Sequence, residues 1–204
     1  MKKRMKKRIL LASSFILVFI YIFVLFYGTN YNHATEEYRM YYITRELKYY
    51  LPDGALKEYT VNRTFSYSTE GNYGNQGNGW SAVEEEGTWA VDGVSDLYFY
   101  IFALAEEYRF VCEIASDLGY DNNIYVNDAL VGPINMEGLE EKASILIANN
   151  FLHEGLNKIS IVSNESVAPY NEAHVSSDTR RLNTLIKSVA LNEETIDRDN
   201  HIDE

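Results

Sequence analysis

Tyr108-Arg109-Phe110-Val111-Cys112-Glu113-Ile114-Ala115 sets apolar Phe110, Cys112 and Ile114 on one side of an extended chain and charged Arg109 and Glu113 on the other. A period of two puts one set of side chains in a core and the other in solvent, as in a half-buried strand of an antiparallel sheet. Cys112 belongs to the apolar set, so it reads as a small core residue and not a nucleophile. It is the single cysteine of the chain, which leaves no internal disulfide.

The same reading extends in both directions. Residues 58–67 predict a first strand, with Val61, Phe65 and Tyr67 on one face. Short strands follow at 88–91, 124–126, 130–131, 143–148, 158–163 and 185–191, with Asn127-Asp128 as a tight-turn pair. Residues 97–103 are apolar on both faces and predict a central strand. Eight or nine short strands with regular turns, and no alternating helices, predict an all-β fold: an antiparallel β-sandwich or jelly roll. Composition agrees, since 17 Tyr and only 3 Pro suit strands and not a disordered chain.

N-terminal to the strands, residues 9–27 read ILLASSFILVFIYIFVLFY without a charge. Nineteen helical residues span about 28 Å, close to a bilayer core of about 30 Å. Six of the 18 basic residues lie in the first eight positions, which predicts a cytoplasmic N-terminus and an extracytoplasmic C-terminal domain at the cell membrane. A cleaved signal peptide is the rival, but its apolar region is shorter and ends in small residues, whereas Gly28-Thr29-Asn30-Tyr31-Asn32 follows here. We expect an uncleaved single-pass anchor and this division: a basic segment 1–8, the transmembrane helix 9–27, a juxtamembrane helical stalk 28–56, the sandwich 57–192 and an acidic tail 193–204.

Beyond the helix the chain carries 12 basic against 30 acidic residues, a formal −18. Such a surface repels nucleic acid and anionic headgroups, so a nucleic-acid partner is not expected. In the stalk, residues 36–51 have helical character before Pro52-Asp53-Gly54 ends it. Tyr38, Tyr42 and Tyr49 share one stripe with Arg45. The stalk reads as a helix packed on the domain or at the membrane surface, or as a contact helix for another membrane protein.

Reaction chemistry is sparse. His33, His153, His174 and His201 lack metal-ligand spacing, and no phosphate loop or nucleophile elbow is present. No cofactor is expected, and a structural Ca2+ is left open. A carboxylate pair of a hydrolase is the weakest of the functional readings. Two stretches stand out. Gly71-Asn72-Tyr73-Gly74-Asn75-Gln76-Gly77-Asn78-Gly79-Trp80 combines glycine, amides and aromatics, which suit sugar binding. Its candidates are Asn75, Asn78 and Trp80, with Glu84, Glu86 and Trp89 following; the alternative is a mobile loop with Trp89 in the core. Ser177-Asp178-Thr179-Arg180-Arg181-Leu182 offers Asp178 with Arg180 or Arg181 as a structural ion pair or a ligand-fixing one.

The order of these motifs resembles a bacterial β-sandwich domain found at the C-terminal end of membrane phosphoglycerol transferases and related multi-span glycosyltransferases. Gly79-Trp80-Ser81 and Glu86-Gly87-Thr88-Trp89 resemble its opening, and Val126-Asn127-Asp128-Ala129-Leu130-Val131-Gly132 its hairpin. Gly155-Leu156-Asn157-Lys158-Ile159 and the Ser177–Leu182 run resemble its later motifs. Asn183 and Asp128 replace glycines of that pattern. The resemblance implies an accessory, glycan-related role without catalytic residues. The expected function is a membrane-anchored, non-catalytic domain that binds or presents cell-envelope glycan. An adaptor docking on a separately encoded glycosyltransferase or phosphoglycerol transferase is the alternative.

Overall fold

The computed structural model describes residues 2–117, 121–134, 142–164 and 180–194. The helix α1 (Lys2–Thr29) opens the chain. Its Met5–Thr29 part has a mean hydropathy of 2.9, is not covered by the other described residues, and is long and apolar enough to cross a membrane. Ser13 and Ser14 both donate to the Leu10 carbonyl at 2.9 Å, so neither presents a free hydroxyl proton to an apolar surrounding.

Nine strands form the described part of the domain: β1 (Thr64–Ser66), β2 (Thr88–Val91), β3 (Val94–Ile101), β4 (Glu107–Asp117), β5 (Asn122–Val126), β6 (Ala129–Ile134), β7 (Lys142–Ala148), β8 (Gly155–Ser163) and β9 (Leu182–Glu194). One sheet runs β1-β9-β4-β7, with β2 also on β9; the other runs β3-β8-β5-β6. Every pairing between these strands is antiparallel. β1 meets β9 at Ser188 to Ala190 and β2 meets it at Leu182 to Ile186, so the two short strands lie end to end along one edge.

The sheets stack face to face as an antiparallel β-sandwich, as the strand periodicity predicts. Phe65, Phe110, Cys112, Ile147 and Val189 of one sheet meet Leu97, Phe99, Ile124, Val126 and Ile161 of the other in a single core. Phe99 links the layers through rings, 5.8 Å from Phe65 and 6.2 Å from Phe110. Cys112 is fully buried, and burial holds its thiol well above the ordinary range.

Three expectations need correction. The strand predicted over 58–67 shrinks to Thr64–Ser66, because Asn62 takes a left-handed backbone (φ 63°) and turns the chain onto the end of β9. There its N–H donates to Leu191 O and its Oδ1 accepts from Glu193 N, both at 2.8 Å. The strand predicted as central, now β3, is an edge strand whose outer polar groups are covered otherwise. Gly77 N donates to Asp96 O, Tyr98 N to Asn75 O, and Asp96 N to Asn78 O, all at 2.8–2.9 Å. The glycine-rich stretch is thus laid along β3 as a cover for its edge, a common protection of an unpaired strand.

The helix expected over 36–51 ends early. A turn of α-helix (Glu36–Tyr38), capped by Thr35, runs into a wider π turn (Arg39–Ile43). Arg45 then adopts φ 59° and stops it. Leu47 bridges to Gly77, and Met40, Leu47, Leu51 and Leu56 are buried in the sandwich core. This segment is therefore packed on the domain. At the other end β9 continues to Glu194, and the remainder of the expected acidic tail lies outside the described residues.

Candidate functional site

The outer face of the β9–β4 pair carries two irregularities in succession. Glu113 faces Ser188, but the next partners are Ile114 and Ile186, which leaves Lys187 as an extra residue on β9. Ser116 then faces Leu185, which leaves Ala115 as an extra residue on β4. One bulge on each strand restores the register while bending both, and bulges commonly re-aim side chains beside binding sites.

A cleft of about 390 Å³ opens at this point, lined by Ser66, Ser68, Glu85, Glu86, Glu113, Ala115, Lys187 and Ser188. That volume lies within the range of small-ligand sites, roughly 300–1,000 Å³. Its floor is one row across three strands, since Ser66 and Glu113 both face Ser188. Ser188 Oγ donates to Glu113 Oε2 at 3.2 Å, and the hydroxyls of Ser66 and Ser68 lie 3.2 Å apart. The wall is the turn before β2. Glu84 N donates to Gly87 O at 2.8 Å, which folds Glu85 and Glu86 outward over the floor. Gly87 packs on the Ile186 carbonyl, where a Cβ would collide.

The chemistry of this lining is mixed. Three serine hydroxyls both donate and accept, carboxylates accept, and the Lys187 ammonium donates. A ligand bearing many hydroxyls matches that set, because each hydroxyl also donates and accepts. Three carboxylates against one ammonium oppose a strongly anionic ligand. Among the described residues no group of three or more His, Cys, Asp or Glu is placed to hold a metal ion.

The sequence candidates are distributed unevenly. Glu86 lines the cleft. Glu84 stands beside it and takes both terminal nitrogens of Arg180 on Oε1, at 3.1 and 3.2 Å. Trp89 is half-buried. It alternates with core-facing Thr88 and Ala90, which places it on the outer face of β2 opposite Leu185. Trp80 packs in the core instead of presenting a ring to solvent: it is 6% exposed, donates Nε1–H to Asp96 O at 2.7 Å, and meets Tyr67 edge-on. Asn75 is also buried, with Oδ1 accepting from Tyr67 Oη at 3.1 Å. Asn78 is exposed at the β3 edge. Arg181 lines a second cleft of about 490 Å³ with Asp92, Val94 and Asn164. Asp178 lies outside the described residues, so its expected ion pair is not seen.

Ser66, Ser68, Glu85, Glu113, Lys187 and Ser188 were not anticipated as site residues. Glu113 was legible as a solvent-facing charge in β4, and a polar Lys187-Ser188 pair interrupts the apolar run of β9. The bulges that join these positions appear only when the two strands are paired.

Comparison with known proteins returns distant structural likenesses. No protein-family model and no curated protein matches the chain. A family 35 carbohydrate binding module from an environmental isolate is 13% identical, with a TM-score of 0.39 over 65% of this chain and 93% of that one. One from Clostridium thermocellum is 15% identical, with a TM-score of 0.37 over 66% of this chain and 85% of its own. A third, from Paenibacillus barcinonensis, is 14% identical, with a TM-score of 0.38 over 65% of this chain and all 100% of that one.

Proposed function

We propose that this chain is a membrane-tethered, non-catalytic β-sandwich that binds or presents cell-envelope glycan on the extracytoplasmic side, with the doubly bulged cleft as the glycan site. The observation that carries the reading is the cleft: serine hydroxyls, carboxylates and one ammonium on a bent sheet face. This lining suits a neutral polyhydroxylated ligand better than a phosphate-bearing one. The basic first eight residues and the acidic remainder support the orientation. The motif resemblance supports an accessory role, in which the sandwich works beside an envelope-polymer enzyme supplied by another chain.

The test is retention of purified envelope polysaccharides by the full chain in lipid nanodiscs. Wild type retains a neutral glycan, whereas Ser66→Trp, which fills the cleft from an exposed position, loses it. Lys187→Met weakens it. A folded wild type that retains no envelope polymer, or a Ser66→Trp chain that retains it equally well, overturns the reading.

A further inference from the structure

We propose that the tyrosine cluster of Tyr38, Tyr41, Tyr42 and Tyr50, with Ile43, is a docking surface for the outer leaflet of the bilayer that α1 crosses. It holds the sandwich against the membrane in one orientation. The inference rests on the anchor reading of α1 and is independent of the glycan reading.

The cluster is a continuous aromatic surface. The Tyr42 ring lies 4.8 Å from both Tyr38, at a tilt, and Tyr41, edge-on, and Tyr50 lies 5.7 Å from both Tyr41 and Tyr42. Tyr38, Tyr42, Ile43 and Tyr50 are each about half exposed, at 47–54% of their full surface. Contiguous exposed apolar surface marks an interaction site, unlike single exposed residues. Tyrosine joins an apolar ring to a polar hydroxyl, which suits the depth of lipid headgroups.

The surface is rigidly joined to the sandwich. Tyr41 packs on the core beside buried Met40, and Leu47 bridges to Gly77 on the covered edge of β3. Arg45, in its left-handed conformation, turns the chain between the helical part of the cluster and Tyr50.

Two features identify the bilayer as the occupant. The first is tether length. α1 ends at Thr29, and Thr35 is already fixed to the domain through its hydroxyl on Asp53 Oδ1 at 3.0 Å. Six residues reach at most about 20 Å, so the cluster stays near the surface from which the helix emerges. The second is charge. Residues 28–57 carry four basic residues (Arg39, Arg45, Lys48, Lys57) and four acidic ones (Glu36, Glu37, Glu46, Asp53), whereas residues 58–204 carry 8 against 26. The part of the chain nearest the membrane is thus charge-balanced, whereas the remainder taken together carries a formal −18, so an anionic leaflet repels the former less.

The test is spin-label depth measurement on the full chain, one copy per nanodisc of phosphatidylglycerol and phosphatidylethanolamine. Cys112 is fully buried, so a single introduced cysteine takes the label. Labels are placed at Val18→Cys in α1, Tyr42→Cys in the cluster and Leu130→Cys. Leu130 is exposed on β6, at the edge of its sheet opposite β3. The expected result is loss of collisions with a water-soluble nickel complex at positions 18 and 42, and full collisions at 130. In a second chain, Tyr42→Glu with Tyr50→Glu restores collisions to a label at Ile43→Cys. A buried Val18 label with a water-exposed Tyr42 label overturns the docking while leaving the anchor intact. A water-exposed Val18 label overturns the anchor reading and the docking with it. Shielding of Tyr42 that appears only with a second copy or an added protein also overturns it.

Discussion

Asn127 Nδ2 donates to Asn157 Oδ1 at 2.9 Å, joining the β5–β6 turn to the start of β8 across thirty residues of sequence. Asn127 makes two more bonds across the same gap, and Asn157 holds the residues just before it. Asn127 donates to Phe151 O and accepts from Lys158 N, both at 3.0 Å. Asn157, fully buried, donates to His153 O at 2.7 Å and Gly155 O at 3.1 Å and accepts from His153 N at 3.0 Å. Asn127 (φ 50°) and Asp128 (φ 70°) form the mirror-image turn that suits a two-residue hairpin.

Asn157→Ala therefore removes four hydrogen bonds at once, and the backbone groups of His153 and Gly155 lose their side-chain partner. We expect a loss of about 2–4 kcal/mol, at roughly 1 kcal/mol per bond. Asn127→Gly keeps the turn conformation and loses only its bonds, so it costs less. A double-mutant cycle read by thermal melting should show clear coupling between the two positions; additive losses would mean that the 2.9 Å contact carries no energy.

Trp80 provides a test of core against site. Trp80→Phe deletes the indole N–H bond to Asp96 O and thins the packing on Tyr67. Stability should fall by about 1–3 kcal/mol. Glycan retention by the chain that remains folded should be unchanged, because the ring does not reach the cleft. A Trp80→Phe chain with wild-type stability and weakened retention would contradict this placement.

The contrast between Trp80 and β4 shows what the sequence displays and what it conceals. Phe110, Cys112 and Ile114 alternate, and alternation alone reveals a face, so β4 and the sandwich were legible. β2 was legible to its limits, Thr88–Val91. Residues 75–78 were not, because glycine and amides describe a mobile binding loop and an edge cover equally well. Their role comes from backbone bonds to β3, which no side-chain pattern records. The cleft was legible only at Glu86. Ser66, Glu113, Ala115, Lys187 and Ser188 come from β1, β4 and β9, Ser68 and Glu85 from the connections beside β1 and β2, and the extra residue Lys187 exists only relative to its partner strand.

Lys48 gives a prediction in pH. Its ammonium is taken partly out of water, lies 5.2 Å over the Tyr49 ring, and has no hydrogen-bond partner among the described residues. Burial lowers its pKa from 10.5 to about 8. Between these values the unfolded chain binds more protons, so stability from this group rises with pH across that window. Below about 8 the folded amine is charged and its desolvation cost is fully present; above 10.5 the cost is gone. Because the amine keeps part of its water and its charge is screened there, only a fraction of that cost counts: Lys48→Met should raise stability at pH 7 by about 1 kcal/mol at most and flatten the rise between pH 8 and 10.5. Melting curves in that range check it, and a variant with the wild-type pH slope would show that this amine is solvated.

Gly87 sets the position of the cleft wall. Its backbone lies against the Ile186 carbonyl, next to the extra residue Lys187, and its φ of 153° is one that side-chain-bearing residues rarely adopt. Gly87→Ala forces the turn holding Glu85 and Glu86 away from β9. The strain should cost about 1–3 kcal/mol. The same movement widens the cleft, so glycan retention should fall even in chain that is fully folded at low temperature. Ser66→Trp fills the cleft without moving the wall, so it should abolish retention while leaving the melting temperature near wild type. Together the pair separates shape from stability. If Gly87→Ala melts early yet retains glycan as wild type does, the wall takes no part in binding, and the floor row of Ser66, Ser188 and Glu113 holds the ligand alone.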